Sequence, residues 1–121
     1  MMKGLIVDKG WGAEEIFADS KLYCGKLLIM RSGKKMSMHF HMLKHETWRV
    51  LSGEFSFMSI NVKDASVVCE PLHGGDVVII PPGMPHQLVC HEAGIVLEVS
   101  TVDDPDDNYR VLPGDSQTEP G

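Results

Sequence analysis

Apolar and β-branched residues fall into short runs at positions 22–30, 48–51, 55–62, 66–69, 76–80, 87–90 and 95–101. Runs of this length, bounded by turn-forming residues, predict strands. The breaks between them carry Ser32-Gly33, Ser52-Gly53, His73-Gly74-Gly75, Pro81-Pro82-Gly83 and Ala93-Gly94, all sequences that favour turns. Strands at this density predict an all-β sandwich or barrel. The one helical expectation is a short segment over 12–17. No solenoid repeat and no low-complexity segment interrupts the pattern.

Alternation within the runs points to chemistry. In Glu46-Thr47-Trp48-Arg49-Val50-Leu51, one face of a strand carries Glu46, Trp48 and Val50. A carboxylate on the face that buries Trp and Val needs something cationic to meet it inside. His39 and His41 are two apart on an extended segment, so their rings leave the same face.

Composition narrows the classes. The 121 residues suffice for one domain with one core, and 43% hydrophobic with 23% charged residues is ordinary for a globular protein. The net charge is −6, and residues 103–121 hold six acidic residues against the single base Arg110. Residues 1–102 are therefore expected to form the domain and 103–121 an acidic tail that packs along the barrel surface or is partly disordered. No clustered basic face is present, which argues against nucleic acid as a partner. No apolar run approaches the ~20 residues that cross a bilayer. The first residues have no apolar core of a secretory signal. Cys24, Cys69 and Cys90 are odd in number and widely spaced, which fits a reducing, cytoplasmic setting better than a disulfide framework.

Two spaced motifs go further. Gly33 is followed after five residues by His39, then at fixed intervals by His41, Glu46 and Gly53. Gly75 is followed after five residues by Pro81, then by Gly83 and His86. This arrangement resembles both motifs of the cupin superfamily, with Cys90 standing where the second often has Asn. The resemblance implies a single-domain cupin, a double-stranded β-helix or jelly-roll barrel, with His39, His41, Glu46 and His86 as ligands of one metal ion. Three imidazoles and a carboxylate suit a divalent transition metal, Mn, Fe, Zn, Ni or Co, rather than Ca or Mg. His73 and His91 lie outside the motifs and read as solvated surface residues. Met36, Met38, Met42 and Met58 read as core or rim filler.

A narrower resemblance covers residues 11–110. The chain is similar to the cupin domain of type II mannose-6-phosphate isomerases in Trp11-Gly12, in the stretch from Ser37 to Gly53, in Ile80-Pro81-Pro82-Gly83-Met84-Pro85-His86 and in Asp107-Asn108-Tyr109-Arg110. It departs at His39, where that family has Gln, at Lys44, where it has Arg, and in lacking a glycine between Tyr109 and Arg110. The resemblance implies aldose–ketose isomerisation of a sugar or sugar phosphate, with Lys44, Tyr109 and Arg110 on the substrate side. Glu98, in a run of otherwise buried residue types, is the candidate proton-transfer base, against a rim salt bridge with Arg49 or Lys44. His45 is a second candidate base, against an exposed turn histidine. Two other readings use the same residues: an iron-dependent dioxygenase and a non-enzymatic sugar-binding protein. Exposed strand edges in a small barrel need cover, so a homodimer is expected.

Overall fold

The computed structural model describes residues 2–118. Strands β1 (Leu5–Lys9) and β2 (Gly12–Asp19) form a hairpin, and β2 pairs with β3 (Cys24–Met30). The second half of β8 (His86–Ser100) lies between β3 and the first half of β5 (Glu46–Ile60). The other edge of β5 takes β7 (Val77–Ile80) near its start and β6 (Val67–His73) near its end. Strand β4 (Met38–Phe40) joins the first residues of β8 to β9 (Tyr109–Leu112), and a four-residue helix α1 (Asp115–Thr118) follows. All pairings are antiparallel. Among the described residues no helix is long and apolar enough to cross a membrane.

The segment over 12–17 is a strand, not a helix. It is hydrogen-bonded by β1 on one edge and β3 on the other, and this pairing overrides a local preference that was never strong. The expected turns at Ser52-Gly53 and Ala93-Gly94 are also not chain reversals. They lie inside β5 and β8, where the register shifts and both strands bend from one layer of the barrel into the other. Gly53 adopts φ of +94°, and a Cβ on Gly94 would collide with the Ser52 carbonyl and the Gly53 Cα. The two backbones cross in contact, which only glycine permits. Residues 103–118, set apart by composition as an acidic tail, supply β9 and several contacts to the barrel interior.

Inside, the alternation read at Glu46, Trp48 and Val50 holds: they are 3%, 2% and 1% exposed, and Arg49 and Leu51 face out. The same layer buries Leu28, Met30, Ile80 and Val96, and the facing layer buries Phe55, Phe57, Leu88 and Cys90. Each large side chain contributes roughly 1.5–3 kcal/mol of burial. Among the described residues six polar or charged side chains are buried: Lys26, Lys44, Glu46, His86, Glu98 and Asp107. A buried charge without a partner would offset two such apolar residues, so each of these groups needs a partner.

Candidate metal centre

His39 on β4 and His86 at the start of β8 are register partners, and His41 follows just beyond β4. The three rings converge, with one ligating atom from each within 4.8 Å of the others. Glu46, the first residue of β5, points its Oε2 at the same place, 3.3 Å from His86 Nε2 and 3.5 Å from His41 Nε2. Trp48 and Phe57 wall the site, their ring centres 5.5 and 6.3 Å from that of His86.

The hydrogen bonds fix which nitrogens face inward. His39 Nδ1 donates to the Ser37 carbonyl at 2.9 Å, His86 Nδ1 to the Met84 carbonyl at 2.9 Å and His41 Nδ1 to the Asp107 carbonyl at 2.5 Å. With Nδ1 protonated, Nε2 of each neutral ring presents a lone pair. His86 Nε2 and Glu46 Oε2 are buried without a hydrogen-bond partner among the described residues. Two acceptors facing each other at 3.3 Å repel unless a cation stands with them. The residues present therefore fit a divalent metal ion. Burial, aided by the neighbouring His86 and His41, pushes the His39 imidazole down to about 3, so it stays neutral and able to ligate at neutral pH. Burial opposes the Glu46 charge, but the Lys44 ammonium 3.6 Å from Oε1 favours it, and the carboxyl lies below the usual range.

Behind Glu46 lies a chain of buried charges. Lys44 Nζ donates to Glu98 Oε2 at 3.0 Å and Asp103 Oδ1 at 3.1 Å, and sits 3.6 Å from Glu46 Oε1. Lys26 Nζ meets the other Asp103 oxygen at 3.1 Å and Glu14 at 3.7 Å. Burial lowers the Lys44 ammonium, yet three carboxylates raise it further and keep it charged. Glu98 moves the other way: burial and the Glu46 charge push it up to about 7, against Lys44 and Lys26.

Each sequence-predicted residue has a definite place. The four proposed ligands come together. Glu98 lines the same cavity and is paired with Lys44, in the interior rather than at the rim. Lys44, expected beside a substrate phosphate, already has three carboxylates around it. Arg110 lies opposite His39 in the β4–β9 register, is exposed and lines the cavity. Tyr109 is 46% exposed, stacks on Phe40 at 5.2 Å and does not line the cavity. His45 is exposed and away from the cavity; its N–H donates to Thr101 Oγ1.

Sequence reasoning missed Lys26, Glu14, Asp103 and Asp107. Lys26 could have been found, because it shares the inward face of β3 with Cys24, Leu28 and Met30. The cavity measures ≈ 310 Å³, at the lower end of the roughly 300–1,000 Å³ usual for small-molecule sites. Trp11 and Leu28 offer apolar surface in it among the carboxylates and amines.

No protein-family profile and no curated sequence matches the chain. Solved structures do. The capsular polysaccharide assembling protein CapF from Staphylococcus aureus superposes with a TM-score of 0.79 at 22% identity, over 93% of this chain and 33% of that one. Oxalate decarboxylase from Bacillus subtilis gives 0.74 at 14%, over 89% and 30%. An RmlC-like cupin from Shewanella frigidimarina gives 0.72 at 23%, over 85% and 87%. The chain thus spans about a third of the length of the first two proteins. Its described residues have the cupin fold, an all-β jelly-roll barrel with a histidine triad that can hold a metal ion at its centre.

Proposed function

We propose that the chain is a metal-dependent enzyme acting on a carbohydrate, a sugar or sugar-phosphate isomerase or epimerase of the mannose-6-phosphate isomerase type. The observation that carries this reading is a buried carboxylate, Glu98, in the same cavity as the three Nε2 lone pairs. His39, His41, His86 and Glu46 would hold the metal, which when bound supplies Lewis acidity to adjacent oxygens of a sugar. The polar lining, with carboxylates and amines beside Trp11, suits a polyhydroxylated ligand. The likeness to CapF, a capsular polysaccharide assembling protein, agrees with a carbohydrate.

In this reading Glu98 takes the proton from C2 of an aldose and returns it to C1, while the hydroxyl proton passes from O2 to O1. Lys44 holds the Glu98 carboxylate at 3.0 Å and so fixes its direction. A carboxyl raised to about 7 is matched to accepting and giving back a proton near neutrality. Arg110, which forms no ion pair among the described residues, would meet an anionic group of the substrate at the mouth.

The test is elemental analysis of the purified protein, followed by incubation with aldoses, ketoses and their phosphates in deuterated water. Metal near one equivalent and loss of the C2 proton signal of one substrate are expected. Metal without exchange in any sugar would remove the isomerase reading, and retained iron with oxygen consumption would replace it by the dioxygenase one.

A further inference from the structure

Beside the histidine triad the cavity is lined by the carboxylates of Glu14, Glu46, Glu98 and Asp103 and the ammonium groups of Lys26 and Lys44. Lys26 and Glu98 oppose each other in the β3–β8 register, so both project inward from adjacent strands. Asp103 differs from the other carboxylates in what it touches. One of its oxygens accepts from Lys44 Nζ at 3.1 Å, and the other meets Lys26 Nζ at 3.1 Å. It thus bridges two ammonium groups whose side chains are 4% and 9% exposed. One carboxylate shared between two cations, with one oxygen to each, is how a protein grips the acid group of a ligand. Here the acid group belongs to the chain itself. Burial raises the Asp103 carboxyl, but Lys44 and Lys26 outweigh it and keep it ionised. Asp103 follows the end of β8 and belongs to no strand, so the sheet does not depend on its side chain.

This occupied position decides what can bind beside it. A second carboxylate entering the inner cavity would find both ammonium groups taken and Glu14, Glu98 and Asp103 close by. Like charges juxtaposed in a partly buried site oppose binding strongly, and a repulsive group is a common source of specificity. Hydroxyl groups meet no such penalty, because each can donate to a carboxylate oxygen. Arg110, exposed at the mouth, is left as the place for any charge the ligand carries. We propose that Asp103 is a specificity-determining residue that fills the acid-binding position between Lys26 and Lys44. The inner cavity therefore takes the uncharged, hydroxyl-bearing end of a sugar and turns away a sugar acid. This inference rests on the carbohydrate reading above and narrows it.

Calorimetric titration of the metal-loaded protein tests it, with D-mannose and D-fructose as uncharged probes and D-gluconate and D-glucuronate as acids. The proteins are the wild type, Asp103→Asn, and Asp103→Asn combined with Lys26→Met. Circular dichroism and metal content, measured before and after titration, confirm that barrel and metal are retained. The wild type should bind an uncharged sugar more tightly than either acid. Asp103→Asn keeps the size of the side chain and drops its charge. It should bind at least one acid about tenfold more tightly, the modest end of a like-charge penalty, and change little towards the uncharged sugars. Adding Lys26→Met should abolish that gain. A wild type that prefers an acid overturns the proposal, as does an Asp103→Asn protein with unchanged acid affinity. An equal gain for the uncharged sugars overturns it too, since that would mark a loosened cavity. An acid gain in Asp103→Asn, with no uncharged sugar bound by any of the proteins, would remove the carbohydrate reading and keep the role of Asp103.

Discussion

Asp107 holds His41 from two directions. Its carbonyl oxygen accepts the His41 Nδ1–H, and its carboxylate accepts the backbone N–H groups of Met42, Leu43 and Lys44. Burial raises the Asp107 carboxyl, but these three donors outweigh it and keep the group ionised. A residue 66 positions along the chain thereby sets both the ring of a proposed ligand and the turn that leads to Lys44 and Glu46.

Asp107→Ala should therefore weaken metal binding by about 10–100-fold, the usual cost of losing a group that orients a ligand. Competition with a chromophoric chelator measures it. Affinity equal to wild type would show that the 41–44 turn holds its shape unaided.

Removing a ligand should act more strongly. His41→Ala should lose most bound metal and leave Glu46 facing one imidazole instead of two. Added metal should raise the melting temperature of the wild type by mass action and barely move that of the variant. Equal metal-induced shifts in the two proteins would remove His41 from the ligand set.

Lys44→Met takes the cation from among three carboxylates in a site where Lys44 is 4% exposed. Breaking a buried charge cluster from one side costs about 3–5 kcal/mol. Urea unfolding of the metal-free proteins at pH 7 should show a loss of that order. A loss below about 1 kcal/mol would mean that water already reaches the cluster.

The pH dependence of the metal-free protein has two opposed parts. Glu98 is raised to about 7, so the folded state binds its proton more tightly. Its stabilising effect is complete below the unfolded carboxyl value, near 4.5, and is lost as pH rises through about 7. His39 is lowered to about 3, so its contribution is complete above 6.5 and is lost as pH falls towards about 3. Unfolding of Glu98→Gln beside wild type should show the difference shifting in the variant's favour between about pH 5 and pH 8. A constant difference would mean that Glu98 has an ordinary carboxyl affinity. On the proposed function, the same change in the metal-loaded protein should cost at least ~100-fold in turnover with metal retained.

These residues also show what a sequence can and cannot carry. That His39, His41, Glu46 and His86 lie together was expected from the resemblance to the two cupin motifs, whose fixed spacing is a local property of the chain. Most strands were legible because strand alternation is local too. The bends of β5 and β8 were not, because a glycine in an apolar run signals a turn unless the crossing partner is known. Asp103 and Asp107 were read as part of an acidic tail lying along the barrel surface or partly disordered. Their burial depends on where the chain travels after β8, and composition does not record that.

The crossing of β5 and β8 has a consequence for how this protein can vary. Gly53 and Gly94 touch no ligand and carry no side chain, yet any substituent there wedges apart the two strands that span both layers. In a saturation-mutagenesis map they should rank with His41 and Glu46 among the least replaceable positions. A reader of such a map without the structure would count two glycines as catalytic when they are the fold of a hinge.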